Sequence, residues 1–385
     1  MSESIDQEYR KVANILGRAG MAIPVTPKLI ELLKMNISED NVDFLSAFRR
    51  KVGQTMEELK ESIKKNCKKS YSEEEILKKV DELCRAGVMI DQPNRKGVVV
   101  YRLLPIVRQF EYAYMKRLEP TEENVKKARG FIEFMKDIRD TLIEDYDKLP
   151  ALMKSMPPMD RAVPIRENKE TGEEIKIIVN KELEIPKERV LNVEDIKELI
   201  DKFDDIAVGY CYCRQQEEFL GHECKQIEPS ESCFTLGKSA RHTAKYGFTR
   251  LVSKEEALEL LKKVEDAGLV HKAYHLHSDT ANEEVAICNC CNCCCPNSKP
   301  SVIIPAVTMA NFVARIDEDA CIGCGTCVEK CHNQVLELND DDKAELTGDE
   351  CIGCGVCAYF CPENAIALEE IPQKRVYILP PPNPK

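Results

Sequence analysis

Between Val25 and Leu104, apolar residues recur every three or four positions, which is the spacing of the buried face of an amphipathic helix. Thr26–Met35 is one such segment. Thr55 and Ser72 each precede a glutamate by three residues, the capping-box pattern that marks a helix start. The pattern predicts three helices in this part of the chain.

A strand pattern follows the third helix. Gly87 is positioned as the helix stop, and Val98–Leu103 reads as a strand after a turn at 95–97. Helix, helix, glycine stop and hairpin in this order predict a winged-helix-like domain over residues 1–120. The pattern returns in weaker form at Ser253–Leu269, which predicts a second helix-plus-hairpin unit.

The middle of the chain mixes helix and strand patterns. Apolar positions over Glu122–Leu149 predict one long amphipathic helix. Ala162–Arg166 and Glu174–Asn180 resemble the two strands of a hairpin, and Val193–Phe203 a short helix. Ile206–Tyr210 is an apolar, strand-like run that leads directly into a cysteine.

Composition bounds the class of protein. The chain has 385 residues, of which 43% are hydrophobic and 32% charged, so we expect two or three globular domains. No stretch approaches the roughly 20 apolar residues of a membrane helix, and the N-terminus lacks the apolar segment of a secretory signal. We therefore expect a cytoplasmic protein without membrane insertion, in which closely spaced cysteines are metal ligands more often than disulfides.

The 20 cysteines are distributed unevenly. Only Cys67 and Cys84 lie before residue 200. Residues 321–331 read CIGCGTCVEKC, and residues 351–361 repeat that spacing as CIGCGVCAYFC. A front half without cofactor is therefore expected to precede a metal-rich back half.

The repeated motif resembles the bacterial dicluster ferredoxins, whose spacing is C-x2-C-x2-C-x3-C twice over. In that family, three cysteines of one motif and the last cysteine of the other hold each cubane. The resemblance implies two 4Fe-4S clusters, one held by Cys321, Cys324, Cys327 and Cys361, the other by Cys351, Cys354, Cys357 and Cys331. His332 replaces the family's proline after the fourth cysteine, and we expect it to pack or hydrogen-bond beside the second cluster and shift its potential.

Ten further cysteines form a second pool. They are Cys211, Cys213, Cys224, Cys233, Cys288, Cys290, Cys291, Cys293, Cys294 and Cys295. We expect two more clusters here, four in all, with the first four residues holding one and four of 288–295 the other. The sequence leaves a mixed division open, and zinc is the alternative because thiolates bind it as well. Arg214 is expected to offset the negative charge of the thiolates.

Most of the chain resembles a family of 4Fe-4S binding proteins from anaerobes. Ile206–Arg214, Ile287–Cys295 and Cys321–Cys361 carry that resemblance, together with the winged-helix-like front. We expect an α+β protein whose winged-helix-like domain is followed by four further segments. These are a long helix and proline-rich linker over 121–160, a mixed α/β cysteine-rich domain over 161–311, a dicluster ferredoxin fold over 312–370 and an extended proline-rich tail over 371–385.

The family resemblance implies electron transfer beside larger oxidoreductases. We therefore expect an oxygen-sensitive carrier that relays single electrons to or from such a partner, rather than an independent enzyme. Residues 312–370 carry 14 acidic and three basic side chains, which favours a partner with a basic docking surface and disfavours nucleic acid. A cluster at His271, His275 and His277 is expected to be a surface feature of a hairpin.

Two alternatives stay open. The first is a redox-responsive winged-helix transcription regulator, which the basic stretch Arg49–Lys69 supports with eight basic against three acidic residues. The second is a reductase that uses an unusual cluster in the ten-cysteine pool.

Overall fold

The computed structural model describes most of the chain and has an α+β architecture. The described residues are 2–19, 24–94, 96–144, 160–179, 195–275, 284–296, 306–308, 310–348, 350–371 and 376–378. The α-helices are α1 (Ser2–Leu16), α2 (Pro27–Asn36), α3 (Glu39–Leu45), α4 (Met56–Asn66), α5 (Glu73–Arg85), α6 (Ile106–Ala113), α7 (Glu122–Glu144), α8 (Ile196–Asp201), α9 (Tyr212–Phe219), α10 (Gly237–Lys245), α11 (Lys254–Asp266), α12 (Thr326–Lys330) and α13 (Val356–Tyr359).

The strands fall into five sheets among the described residues. They are β1 (Gly53–Gln54), β2 (Met89–Pro93), β3 (Val99–Leu103), β4 (Asp160–Val163), β5 (Ile177–Ile178), β6 (Ile206–Tyr210), β7 (Glu231–Leu236), β8 (Arg250–Val252), β9 (Val270–His275), β10 (Glu284–Cys290), β11 (Ala306–Thr308), β12 (Phe312–Ile316), β13 (Leu336–Leu338), β14 (Ala344–Leu346), β15 (Ile366–Glu370) and β16 (Val376–Ile378).

The helices predicted in the front part of the chain are confirmed. Both predicted capping boxes are formed: the side chains of Thr55 and Ser72 accept hydrogen bonds from the backbone of the following glutamates. Gly87 ends α5 in a left-handed conformation, with a φ of 70°. The hairpin of β2 and β3 pairs with β1 in a three-stranded sheet of order β1-β3-β2. The short helix α3 was not predicted.

A six-stranded antiparallel sheet, ordered β4-β9-β10-β7-β6-β8, forms the middle of the molecule. Both the helix and the hairpin of the predicted second unit are present: Ser253 caps α11, and β9 pairs with β10 antiparallel. α8 and α11 cover the sheet, burying Leu199, Leu261 and Val264. This core holds β6, β7 and β10 side by side, and these strands carry or deliver many of the cysteines.

The predicted hairpin between Ala162–Arg166 and Glu174–Asn180 is formed only next to its turn, where the backbone N–H groups of Ile175 and Asn168 donate to the carbonyl oxygens of Arg166 and Glu173 at 2.7 and 2.8 Å. β4 joins β9 in the six-stranded sheet, whereas β5 pairs in parallel with β15 near the C-terminus. A single bridge between Glu167 and Glu174 remains between the two arms, and Asn180 lies outside the described residues. Beyond the turn, the two arms therefore belong to different sheets.

Two other predictions concern the long helix and the tail. α7 is confirmed up to Glu144, and the remainder of the predicted segment lies outside the described residues. The tail strand β16 pairs with β11, so the tail lies on its own chain there. Within the described part, no helix combines the length and the apolar character needed to cross a bilayer.

Candidate metal centres

Two cavities lie between α12, α13 and the small C-terminal strands, and each is lined by four cysteines. The first has about 350 Å³ of empty space, part of it open to solvent, and is lined by Cys321, Cys324, Cys327 and Cys361. The second has about 400 Å³ of such space and is lined by Cys331, Cys351, Cys354 and Cys357. The structure thus brings together the same two groups of four thiols that the ferredoxin resemblance implies.

Glycine allows the backbone to pass close to both cavities. Gly323 and Gly353 have φ values of 70° and 67°, in the left-handed region that glycine adopts without strain. A Cβ at Gly353 would overlap the carbonyl oxygen of Phe312, and one at Gly323 that of Asp342. No other residue fits these turns without displacing the neighbouring backbone.

Backbone N–H groups donate to several sulfur atoms in these cavities, an arrangement that stabilises thiolate charge. Backbone amides of Ala344 and Ala365 donate to Cys321 Sγ and Cys361 Sγ at 3.5 and 3.3 Å, and that of Val335 donates to Cys331 Sγ at 3.4 Å. Burial nevertheless raises the pKa of neighbouring thiols, that of Cys327 to about 11 and that of Cys354 to about 12. Bound iron replaces the thiol protons, so the donors fit a 4Fe-4S cluster and not a bare thiol site.

His332 lies in the wall of the second cavity, next to Cys331 in the chain, and only 4% of it is exposed. Its Nδ1 atom is buried and has no hydrogen-bond partner among the described residues. Burial, and after it the positive charge of Lys272, lower the pKa of His332 to about 4 against the opposing effect of Cys291. His332 therefore stands where the second cavity meets the cysteine-rich part of the chain.

Neighbouring strands gather the ten-cysteine pool. Cys211 directly follows β6, Cys233 lies in β7, and Cys288 and Cys290 lie in β10. The remaining cysteines occupy α9, the loop after it and the turn after β10. Because β10, β7 and β6 are adjacent in the sheet, cysteines from distant parts of the chain meet at one end of it.

Cys224 lies with the later cysteines, and not with the earlier ones as expected. We call Cys224, Cys291, Cys293 and Cys294 the four-thiol group, because their sulfur atoms all lie within 4.8 Å of one another. Within it, Cys224 Sγ is 3.6 Å from Cys293 Sγ, which is 3.7 Å from Cys294 Sγ. The structure therefore mixes the two sequence groups, the division that the sequence left open.

The other six cysteines of the pool form three pairs in hydrogen-bond contact. We call them the six-thiol group; the pairs are Cys211 with Cys213, Cys233 with Cys288, and Cys290 with Cys295. Electrostatic interactions of Cys213 with Cys295, and of Cys288 with Cys211 and Cys290, connect the pairs into one site. The six thiols exceed the four that one cubane requires.

Two buried cations face these thiols. Arg214 is 1% exposed, donates from Nη1 to the carbonyl oxygen of Asn289 at 3.1 Å, and interacts with thiols of both groups. Its Nε has no hydrogen-bond partner among the described residues. Lys272 pairs with Asp160 at 3.3 Å and faces the pair formed by Cys290 and Cys295. Buried positive charge is costly unless anions compensate it. Asp160 compensates Lys272, whereas Arg214 donates to a carbonyl and a hydroxyl oxygen, so Arg214 fits metal-bound thiolates and not neutral thiols.

Polar residues that the sequence analysis missed hold the cysteine segments in place. Gln226 accepts a hydrogen bond from the backbone of Asn292 at 2.6 Å and donates to the carbonyl oxygen of Gly268 at 3.3 Å. Asn289 donates to the carbonyl oxygen of Ser232 at 2.7 Å. Their partners are backbone groups far away in the sequence, so no local sequence pattern indicates these roles.

The expected surface position of His271 is wrong. His271 is fully buried, with Nδ1 2.5 Å from Asn289 Oδ1 and Nε2 3.1 Å from Glu265 Oε1. It therefore supports the strand that carries Cys288 and Cys290. The side chain of His275 and all of His277 lie outside the described residues.

A further cavity adjoins the six-thiol group. It has about 410 Å³ of empty space, part of it open to solvent, between α6 and the sheet, and its wall includes Arg108, Glu111, Tyr212, Cys233 and Cys288. Arg108 pairs with Glu111 at 2.5 Å, and the Tyr212 hydroxyl donates to Glu111 at 3.0 Å. The cavity thus combines polar side chains with candidate cluster ligands.

Comparison with known proteins agrees with the C-terminal geometry. Residues 314–368 match the family model of the 4Fe-4S dicluster domain. The chain carries a C-terminal dicluster ferredoxin domain. Part of the chain is also 47% identical over 30 residues to a probable ferredoxin from Methanosarcina thermophila. That match covers 8% of this chain and 52% of the ferredoxin, so the chain spans about half the length of this curated relative. No solved structure matches the chain.

Proposed function

We propose that the protein is a cytoplasmic iron-sulfur carrier from an anaerobe that relays single electrons to or from a larger oxidoreductase. Two 4Fe-4S clusters lie in the dicluster domain, and a third is held by four of the six-thiol group. The junction between the second cavity and the six-stranded sheet carries the proposal: Ile352 and Val356 of the cavity wall pack in one buried cluster with Val270 of β9. At the same junction the charges of Lys272 and Cys291 act on His332. A relay requires its centres to be close neighbours, and this junction supplies that closeness.

The proposed route is continuous through named residues. The two cavities are close enough for the charge of Cys327 in the first to act on Cys357 in the second. From Cys331 the chain passes to His332, which faces Lys272. Lys272 in turn faces Cys290 and Cys295 of the six-thiol group. Three clusters in a row therefore connect the acidic dicluster surface with the centre of the molecule.

We propose that residues 1–120 form a winged-helix-like domain that docks a protein partner. The capped helices and the sheet order β1-β3-β2 support the domain. The basic stretch Arg49–Lys69 is partly neutralised in the folded chain: Lys51 pairs with Glu58 at 2.6 Å and Lys68 with Glu8 at 3.3 Å. This neutralisation favours a protein partner over DNA, and the acidic dicluster surface favours a partner with a basic docking surface.

Metal and sulfide analysis of the anaerobically purified chain, followed by reduction, tests the relay. About 12 irons and 12 sulfides per chain are expected in clusters, with low-temperature electron paramagnetic resonance signals after dithionite reduction. Reoxidation by a one-electron acceptor such as oxidised methyl viologen should restore the starting spectrum. Absence of cluster iron, or of any signal after reduction, would contradict the relay.

The cavity lined by Arg108, Glu111 and Tyr212 favours a second candidate, a reductase. A pure relay has no need of a polar cavity beside a cluster, whereas a reductase binds its substrate in one. The two candidates differ in turnover: a reductase consumes a small molecule with dithionite as the sole electron source, while a relay does so only when a partner enzyme is added.

A further inference from the structure

We propose that the four-thiol group binds one tetrahedral divalent metal ion, Zn²⁺ or Fe²⁺, in place of a fourth cubane. The proposal concerns Cys224, Cys291, Cys293 and Cys294 alone. It goes beyond the electron relay and holds whether or not the neighbouring clusters carry electrons.

Sulfur–sulfur distances separate the two kinds of centre. Around one tetrahedral ion with metal–sulfur bonds of about 2.3 Å, neighbouring thiolates lie about 3.8 Å apart. Around a cubane each thiolate binds a different iron, which spreads the sulfur atoms to about 6 Å. The observed distances are 3.6 and 3.7 Å, and no pair in the group exceeds 4.8 Å. All four sulfur atoms of this group are mutually this close, whereas the close contacts of the six-thiol group are between the two members of each pair. The four-thiol group is therefore the size of a single-ion site and too small for a cubane.

The remaining chemistry of the group also fits a closed four-coordinate site. Three ligands come from one turn after β10, and Cys224 comes from the loop after α9. The backbone amide of Lys225 donates to Cys293 Sγ at 3.4 Å, and that of Cys294 donates to Cys291 Sγ at 3.3 Å. A divalent ion with four thiolates has a net charge of about −2, which the buried guanidinium of Arg214 partly offsets.

A single ion at this position has a structural consequence. It ties the loop after α9 to the turn after β10, at the point where Gln226 already holds the same turn by a hydrogen bond. The six-thiol group keeps all its ligands for the third cluster. The ten-cysteine pool therefore divides into four and six, and not into two groups that each hold a cubane.

The test is elemental and structural analysis of the full-length chain purified without oxygen. We expect one ion per chain beyond the cluster iron, with no matching sulfide. X-ray absorption at the zinc edge should show four sulfur neighbours at about 2.3 Å and no metal neighbour. If the ion is iron, oxidation should give the isotropic high-spin ferric signal of an isolated tetrathiolate centre.

A variant pair completes the test. Cys224→Ser should lose the single ion and keep cluster iron and sulfide, while Cys67→Ser, outside every metal group, should keep both. Loss of about four irons together with four sulfides from Cys224→Ser would overturn the proposal. If that variant fails to fold, the wild-type protein still decides the question. The proposal is overturned if its zinc-edge spectrum lacks the four-sulfur shell and its oxidised form lacks the ferric signal. A chain that holds the ion but whose clusters cannot be reduced refutes only the relay.

Discussion

The sulfur atoms of Cys224 and Cys293 lie 3.6 Å apart although 69 residues separate them in the chain. The intervening segment includes β7, β8, β9 and β10, four of the six strands of the central sheet, so the contact depends on the pairing of these strands. Correct folding of the sheet and assembly of this metal group are therefore expected to be coupled.

Replacement of Arg214 by methionine should accelerate metal loss from the cysteine-rich part. The guanidinium faces thiols of both groups, so its removal leaves buried thiolate charge without compensation. We expect several-fold faster release of iron and zinc to a chelating dye. Arg241→Met serves as the matched control, because Arg241 lies in the same part of the chain but pairs with Asp205 at the surface. Equal release rates for the two variants would contradict the assigned role.

Alanine at Gly353 should abolish assembly at the second cavity. The added Cβ would overlap the carbonyl oxygen of Phe312, and the φ of 67° strains any residue other than glycine. We expect cluster iron to fall by about four per chain, measured together with sulfide. Gly348→Ala provides the control because a Cβ there meets no atom within 4 Å. A fully loaded Gly353→Ala protein would show that the turn is more adaptable than its geometry indicates.

Loss of the Asn168 side chain should destabilise the backbone around Cys361, one of the cysteines that line the first cavity. This buried amide donates to the carbonyl oxygens of Ala358 and Cys361 at 3.0 and 2.7 Å, and its oxygen accepts from two backbone amides. Asn168→Ala should cost about 2–3 kcal/mol, since buried partners are left unpaired. We expect a lower thermal unfolding midpoint and faster iron release. Asn14→Ala, which removes a single exposed helix contact, should change neither.

His332 should raise the reduction potential of the second cluster. Its buried, unpartnered Nδ1 lies beside the second cavity, where an N–H donor stabilises the extra negative charge of a reduced cluster. A hydrogen bond stronger by about 1 kcal/mol in the reduced state corresponds to roughly 40 mV for a one-electron couple. In a redox titration, His332→Phe should lower one midpoint potential by roughly 40 mV relative to the wild type. His332→Gln, which keeps an N–H donor, should have a midpoint potential between those of His332→Phe and the wild type. Equal potentials in all three proteins would rule out the hydrogen bond.

Asp91 should stabilise the contact between β2 and α10 at neutral pH. Burial raises the pKa of its carboxyl, but His242, Lys245 and Tyr246 outweigh burial and lower it to about 2. Lys245 Nζ lies 2.5 Å and the Tyr246 hydroxyl 2.9 Å from Asp91 Oδ2. A depressed folded-state pKa means that the stabilisation is present above about pH 4 and disappears as the pH falls towards 2.

Asp91→Asn should therefore destabilise the protein by about 2 kcal/mol at both pH 7 and pH 9. Thermal unfolding midpoints of the variant and the wild type at these two values measure the difference. The exposed pair of Lys65 and Glu61 offers a control, because Glu61→Gln should shift the midpoint little. A difference that grows or vanishes between pH 7 and pH 9 would point to another titrating group.

The sequence alone was sufficient wherever the determining contacts are local. Helix starts at Thr55 and Ser72, the stop at Gly87 and the strand Ile206–Tyr210 follow from side chains within a few residues of one another. The ferredoxin motif could also be interpreted from the sequence, because its cysteine spacing resembles that of a family in which the division of the cysteines between two clusters is known. The structure places the same eight thiols around two cavities.

Tertiary structure decided what depends on distant partners. The arms expected to pair between 162 and 180 separate into different sheets, and His271, expected at the surface, is buried against Asn289. Cys224 joins the later cysteines because the order of strands in the sheet, which no local pattern encodes, brings their loops together. Sequence spacing identifies the ligand type, whereas the distances between sulfur atoms, which distinguish a single ion from a cubane, arise only when the loops meet.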